Sequence, residues 1–306
     1  MPRGAIGWED MKPQAIQVGL HRSTSRRRFV RALACGVLAM PALRVRAASP
    51  VTFGLTPVFL DSDLELLKML ATYLSDSLGR EVSLIKRRTY QEITAMLLSG
   101  QLDAAWICDD PYVQHRDKLA LLAVPLYLHK PLYQTYIAVN NTCKAQTFDD
   151  LRGTIHAFSD PDSTSGYLIT RYLLTLRKTT PNDFFSSSFF TYGHRNVIRA
   201  VGAGLADSGS IDGYVWDVMN EREPQLVKNT RIIYRSEWLG FPPIVGLQTA
   251  RNTPVADAIA TAFLGMASRD LGRSVLAILQ LDGFVTATPD LYDSTMEKWL
   301  AVKAQV

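Results

Sequence analysis

The residues best equipped for chemistry lie in Phe158-Ser159-Asp160-Pro161-Asp162-Ser163-Thr164-Ser165-Gly166-Tyr167-Leu168. Three successive hydroxyl residues, Ser163, Thr164 and Ser165, precede an apolar set at helical spacing: Leu168, Ile169, Tyr172, Leu173 and Leu176. They therefore stand at a helix N-terminus, where backbone N–H groups lack partners and the aligned peptides leave a partial positive charge. Such an end can cradle an oxyanion or a polyhydroxy acid. The same residues also make an ordinary N-cap. The spacing predicts a strand ending at Phe158, a polar loop, and a helix to about Arg177.

The elements around this loop alternate. Val51–Leu55 reads as a strand, followed by a helix that Ser62-Asp63-Leu64-Glu65 opens and Gly79 closes. Glu81–Lys86 is a strand. Thr89-Tyr90-Gln91-Glu92 is a second capping box, with a helix to Gly100. Asp103–Ile107 is a buried strand running into Cys108-Asp109-Asp110-Pro111-Tyr112. This order predicts a parallel sheet with helices on both faces. Ligands of such sheets sit beyond the carboxyl ends of the strands, where Tyr90, Cys108 and Tyr112 fall.

Further strands are expected at Leu119–Leu128 and Leu132–Asn140, the second crossing to another lobe, and a short helix at Thr147–Gly153. Phe189–Tyr192 is a strand followed by Gly193-His194 and a helix. Ser210–Asp217 is a strand with Tyr214, Trp216 and Asp217 near its end; Asp217 either faces the cleft or caps the next helix. Arg231–Tyr234 and Ile244–Thr249 complete the strands, the last returning to the first lobe, which helices near 254–269 and 271–281 finish. The expected fold is α/β, two lobes with a ligand cleft between them: lobe 1 from 48–137 and 247–306, lobe 2 from 138–246.

The chain has 306 residues, 47% hydrophobic, ample for such a core. Ser25-Arg26-Arg27-Arg28-Phe29 matches the twin-arginine export pattern, and an apolar stretch and Val45-Arg46-Ala47 follow it. Residues 1–47 are expected to be a removable signal delivering a periplasmic protein. They hold nine Lys and Arg against two acids, a charge of +7; the whole chain is +4, so the mature chain is about −3. The basic balance belongs to the signal and gives no argument for nucleic acid. Beyond it, Cys108 and Cys143 remain; sequence leaves their pairing open. No zinc, iron or cofactor fingerprint and no nucleophile–base pattern appears, so neither a cofactor nor an enzyme is expected.

Thr89–Glu92, Leu102–Trp106, Asp160–Tyr167 and Val197–Val201 with Asp212–Asp217 together resemble the phosphate/phosphite/phosphonate periplasmic binding proteins, over nearly the whole mature chain. The resemblance implies a type II binding-protein fold that closes on a small ligand. It implies that Ser163, Thr164, Ser165 and His194 grip the ligand oxygens and that Tyr90 and Tyr133 wall the pocket. Tyr112 and Asp217 are further candidates. Cys108 departs from the family, which usually has a small residue at this strand end.

A thiol there resembles the arsenite-binding branch of the family, which signals to a membrane histidine kinase. Arsenite at neutral pH is mainly an uncharged trihydroxy acid, and soft As(III) prefers sulfur to hard oxygen. Cys108 is accordingly the expected As(III) ligand, with the Ser-Thr-Ser loop on the remaining oxygens; the competing reading is a buried structural thiol. The implied partner is the periplasmic sensor domain of a histidine kinase. The alternative is an ABC permease receiving phosphate, phosphite or a small phosphonate.

Overall fold

The computed structural model describes residues 49–56 and 64–305. The expected twin-arginine segment and the Ser62-Asp63 start of the first capping box lie outside the described residues.

Two sheets are built on the predicted alternation. The first part of the chain gives β1 (Val51–Leu55), α1 (Leu64–Leu78), β2 (Val82–Lys86), α2 (Tyr90–Leu98), β3 (Ala104–Trp106), α3 (Asp109–Gln114), β4 (Leu119–Leu126), β5 (Leu132–Tyr133) and β6 (Thr135–Asn140). The middle gives β7 (Ile155–Phe158), α4 (Ile169–Leu176), α5 (Pro181–Phe184), β8 (Ser187–Phe190), α6 (His194–Gly202), β9 (Ser208–Asp212), α7 (Gly213–Arg222), α8 (Pro224–Val227) and β10 (Thr230–Arg235). The last part gives β11 (Leu239–Gly240), β12 (Ile244–Leu247), α9 (Pro254–Leu264), α10 (Asp270–Leu279), β13 (Gly283–Val285) and α11 (Asp293–Lys303).

The six-stranded sheet runs β13-β4-β12-β3-β1-β2 and the five-stranded sheet β10-β6-β9-β7-β8. In each sheet three neighbouring strands at one edge are parallel, β2-β1-β3 in one and β8-β7-β9 in the other, as βαβ crossovers require. The chain crosses between the sheets at β5 and β11, which pair antiparallel. The expected single strand over Leu132–Asn140 is thus two strands, broken at Gln134 where the chain changes sheets. The helix expected at Thr147–Gly153 is a single 3-10 turn, Asp149–Leu151.

Capping follows the sequence. Thr89 and Glu92 make the reciprocal box at α2. Gly79 and Gly100 end their helices with φ of +61° and +74°, backbone that glycine adopts without strain. Trp106 fixes the end of β3: its indole N–H donates to the Pro242 carbonyl at 2.9 Å, and its ring lies edge-on to Phe263 and Phe284. β13 and α11 were not legible in the sequence. The last segment ends in α11, which packs on both α3, beside the first sheet, and α4, beside the second.

His156, read as structural, is a core residue. Its ring nitrogens lie 2.7 and 2.8 Å from the Ser208 and Ser210 hydroxyls, and burial pushes its pKa down to about 3. Such a neutral, fully partnered imidazole stabilises the second sheet rather than serving a ligand.

Candidate functional site

The carboxyl ends of β3, β7 and β9 bring Cys108, Ser159 and Asp212 to the junction of the two sheets. Helix N-termini converge on the same place, because α2, α3, α6 and α7 all begin within three residues of these groups or of Tyr90 and His194. Helix N-termini favour oxygen-rich ligands, although at α2 and α7 Tyr90 and Glu92, and Gly213 and Val215, already donate their N–H groups within the protein.

Cys108 is the N-cap of α3 and makes no side-chain cap bond. It is a free thiol, 2% exposed. Its Sγ faces the hydroxyl loop from the other side of the junction: Thr164 N–H donates to it at 3.4 Å, and Thr164 Oγ1 lies 3.7 Å away. The Asp109 carboxylate is 3.3 Å from the sulfur. Burial, reinforced by Asp109, pushes the thiol pKa well up, so the resting group is S–H.

The loop is a sequence of interlocking turns. Asp160 Oδ1 accepts from Asp162 N–H, Oδ2 accepts from Tyr90 N–H at 3.3 Å, and Ser159 N–H donates to the Gly166 carbonyl. Ser163 Oγ accepts from Gly166 N–H, so this hydroxyl fulfils the capping reading. Thr164–Leu168 then forms a π turn before α4 starts, where a regular helix was expected. The wider turn places Thr164 on the thiol. Single π turns inside helices recur at functional sites.

Two hydroxyls here, Ser159 Oγ and Ser165 Oγ, are buried and have no hydrogen-bond partner. Buried polar atoms normally find one, and the unmade bond costs about 1–3 kcal/mol. A ligand oxygen would satisfy them.

His194 heads α6, 1% exposed. The Asp212 backbone N–H donates to its Nδ1 at 3.0 Å, which makes Nδ1 the acceptor and leaves the ring proton on Nε2. Nε2 lies 3.4 Å from Tyr90 Oη. Burial pushes this histidine down to about 3, so it acts as a neutral donor. Tyr133, fully buried on β5, donates to Asp109 Oδ1 at 2.8 Å, and Thr295 of α11 donates to Oδ2 at 2.9 Å.

Seven of the expected residues are therefore at one junction: Cys108, Tyr90, Tyr133, Ser163, Thr164, Ser165 and His194. Two are placed elsewhere. Tyr112 turns its ring onto Tyr292, 4.8 Å between centroids, within the apolar core. Asp217 is not at a strand end, because the strand stops at Asp212; it lies in α7 and accepts from Tyr127 and Tyr136, each at 3.0 Å. The cap of α7 is Asp212. Asp109, Ser159, Asp160, Asp212 and Thr295 were not anticipated. Asp109 carried a signal, adjacency to the thiol; Thr295, 186 residues distant from Asp109, carried none.

The second thiol is free and half-buried beyond the far end of β6. The near end of that strand, Thr135, pairs with Asp212. Five strand steps put Asn140 about 17 Å further on, and Cys143 lies in the turn there, its N–H donating to the Asn140 carbonyl. It is neither a disulfide partner nor a second ligand for the site.

Burial dominates the acids. It raises Asp212 to about 8, Asp110 to about 7 and Asp160 to about 6. A carboxyl whose folded pKa is raised contributes stability that is complete below the ordinary carboxylate range and is lost as pH climbs to the folded value. His156 and His194, both lowered, act in the opposite sense, but only below 6.5. From pH 6.5 to 8 the carboxyls act alone. The unfolding midpoint of the ligand-free protein is expected to fall across that window and to go on falling above it, where burial likewise raises the Cys108 thiol. Asp212→Asn, which keeps an acceptor for Val215 N–H, should flatten the slope. Thermal melts followed by circular dichroism check this; a midpoint rising with pH would contradict it.

The family model described as ABC transporter, phosphonate, periplasmic substrate-binding protein matches residues 53–292. Among solved structures, PhnD1 from Prochlorococcus marinus (MIT 9301) in complex with methylphosphonate is similar at a TM-score of 0.75 and 18% identity, over 83% of this chain and 98% of that one. A binding-protein component of an ABC phosphonate transporter from Pseudomonas aeruginosa is similar at 0.76 and 18%, over 84% and 87%. A histidine kinase sensor domain with similarity to periplasmic binding proteins gives 0.54 and 14%, over 79% and 99%. At these identities the structures establish the two-lobed α/β fold.

Proposed function

The chain belongs to the phosphonate-binding family of ABC-transporter periplasmic substrate-binding proteins, which are binding proteins and not enzymes, and from that premise we propose that its cleft receives arsenite through Cys108. The observation that carries this reading is a free thiol at the lobe junction, facing a hydroxyl loop that holds two unpartnered serine oxygens. One As–OH is exchanged for As–S, and the other two oxygens meet Ser159, Ser165 and the Nε2–H of His194. The surroundings suit an uncharged ligand: His194 is a neutral donor, and burial raises the pKa of Asp109, which disfavours charge there. The bound, closed form would then be read by the sensor domain of a membrane histidine kinase, with the protein exported by the twin-arginine route.

A second reading is the receptor of an importer for phosphate, phosphite or a small phosphonate, handing its ligand to an ABC permease. The family match and the phosphonate-binding neighbours support this one more directly than they support the sensor role. The converging helix N-termini are compatible with it. Calorimetric titration of the mature protein with arsenite, phosphate, phosphite and methylphosphonate separates the two. The arsenite reading expects saturable arsenite binding at one site per chain and at least tenfold weaker binding of the phosphorus oxyanions. The reverse order would establish the importer reading.

A further inference from the structure

The rim of the junction carries a contact that neither functional reading uses. Thr89 and Glu92 cap α2 and so fix Arg88, Tyr90 and Gln91 around its first turn. All three reach towards loops of the second sheet. Tyr90 N–H donates to Asp160 Oδ2 at 3.3 Å, and the Gln91 amide favours the ionised form of Asp162. The Arg88 guanidinium carbon stands 5.4 Å from the centre of the Tyr192 ring, a cation–π distance. Arg88 is exposed and Tyr192 half-buried, whereas Tyr90 and His194 are buried. Tyr192 has a φ of +54°, left-handed backbone that a tyrosine adopts only under constraint. Its N–H donates to the Ser159 carbonyl at 2.6 Å, and two residues later His194 opens α6. Ser159 bears one of the unpartnered hydroxyls, and His194 presents its Nε2–H. The Tyr192 ring is thereby tied to two of the groups that would hold a ligand oxygen.

We propose that Arg88 and Tyr192 form a clasp between the lobes that sets how long a captured ligand is held. Both are positioning residues: they act through Ser159 and His194 and do not touch the ligand. The inference rests on the junction being the ligand site, under either reading of its ligand, and requires no arsenic. A ligand enters while the lobes are apart, and the pair meets only when they close. A contact made only in the closed form opposes opening and leaves entry alone, so it appears in the off-rate. An exposed cation–π pair shifts such an equilibrium about twofold to fivefold.

The test follows release of labelled ligand into an excess of unlabelled ligand. It compares the mature wild type with Arg88→Met, Arg88→Lys, Tyr192→Leu, Tyr192→Phe and the Arg88→Met, Tyr192→Leu double variant. The ligand is arsenite or methylphosphonate, whichever the wild type binds in calorimetry. Arg88→Met and Tyr192→Leu are each expected to release it about twofold to fivefold faster, with association unchanged. Tyr192→Phe keeps the ring and Arg88→Lys keeps the cation, so both should stay near wild type. The double variant should release no faster than either single one. Release from Tyr192→Phe as fast as from Tyr192→Leu, or effects of the two single changes that multiply, would overturn the proposal. Arg88 is exposed, so Arg88→Met carries the test should Tyr192→Leu fail to fold, and an unchanged off-rate in it would overturn the proposal equally. A wild type that binds neither ligand refutes both functional readings. The clasp is then judged on the ligand-free protein, where small-angle X-ray scattering should show Arg88→Met more open than the wild type; equal radii of gyration would overturn it.

Discussion

Cys108→Ser should lose arsenite binding by a factor on the order of a hundred or more. Loss of a neighbour that merely orients a metal ligand already costs 10–100-fold, and here the ligand atom itself changes. Serine oxygen is hard and gains nothing over the water that surrounds free arsenite, whereas sulfur matches As(III). The fold should survive the change. Cys108 is an N-cap that makes no cap bond, and serine is among the best N-cap residues. An intact melting profile with lost arsenite binding therefore isolates the thiol. Methylphosphonate binding, weak or strong, should move little, because the sulfur offers an oxyanion nothing that a hydroxyl does not. Isothermal titration checks both ligands on one preparation. Retained arsenite affinity in the serine variant would remove the basis of the reading.

Gly166→Ala should be the most damaging single-methyl change in the hydroxyl loop. A Cβ there would stand 1.7 Å from Ser159 Oγ, 2.6 Å from Ser159 Cβ and 2.9 Å from Ser163 Oγ. Those atoms are fully buried and cannot step aside into solvent. The backbone must move instead, which breaks the Ser159 N–H to Gly166 O bond and the Ser163 cap together. Overpacking of this kind costs about 1–3 kcal/mol, and a lost cap adds about 1. Displacing the loop also carries Thr164 away from Cys108, so ligand affinity should fall at least tenfold under either functional reading. The clash is pairwise, and Ser159→Gly in the Gly166→Ala background should recover much of the stability. Denaturant unfolding of the four proteins in that cycle measures it; strictly additive effects would contradict the steric account.

Much of this site could be read before the fold was known, because the informative residues are short-range. Ser163 to Gly166 advertise a helix start through cap chemistry, and Cys108 follows a buried strand whose end must face the cleft. Thr89 and Glu92 announce α2 and with it Tyr90. What escaped was decided by distance or by register. Thr295 reaches Asp109 only because α11 lies across α3 and α4, which no local pattern reveals. Asp217 was assigned to a strand end because Ser210–Asp217 is apolar enough to continue; the strand instead stops where Asp212 caps α7, and Asp217 turns to Tyr127 and Tyr136. Tyr112 follows Cys108 by one helical turn, and its ring meets Tyr292 edge-on within the apolar core. The hydroxyl loop was expected to offer all of its oxygens. Ser163 accepts the Gly166 N–H and keeps its own proton to donate, and the buried hydroxyls without a partner are Ser159 and Ser165.

The central claim concerns one bond between arsenic and the Cys108 sulfur, and arsenic K-edge X-ray absorption on the arsenite-loaded protein observes it directly. The account predicts a first shell of one sulfur and two oxygens, replaced by oxygen alone in Cys108→Ser. A wild-type shell of oxygen only, or of three sulfurs, would contradict it.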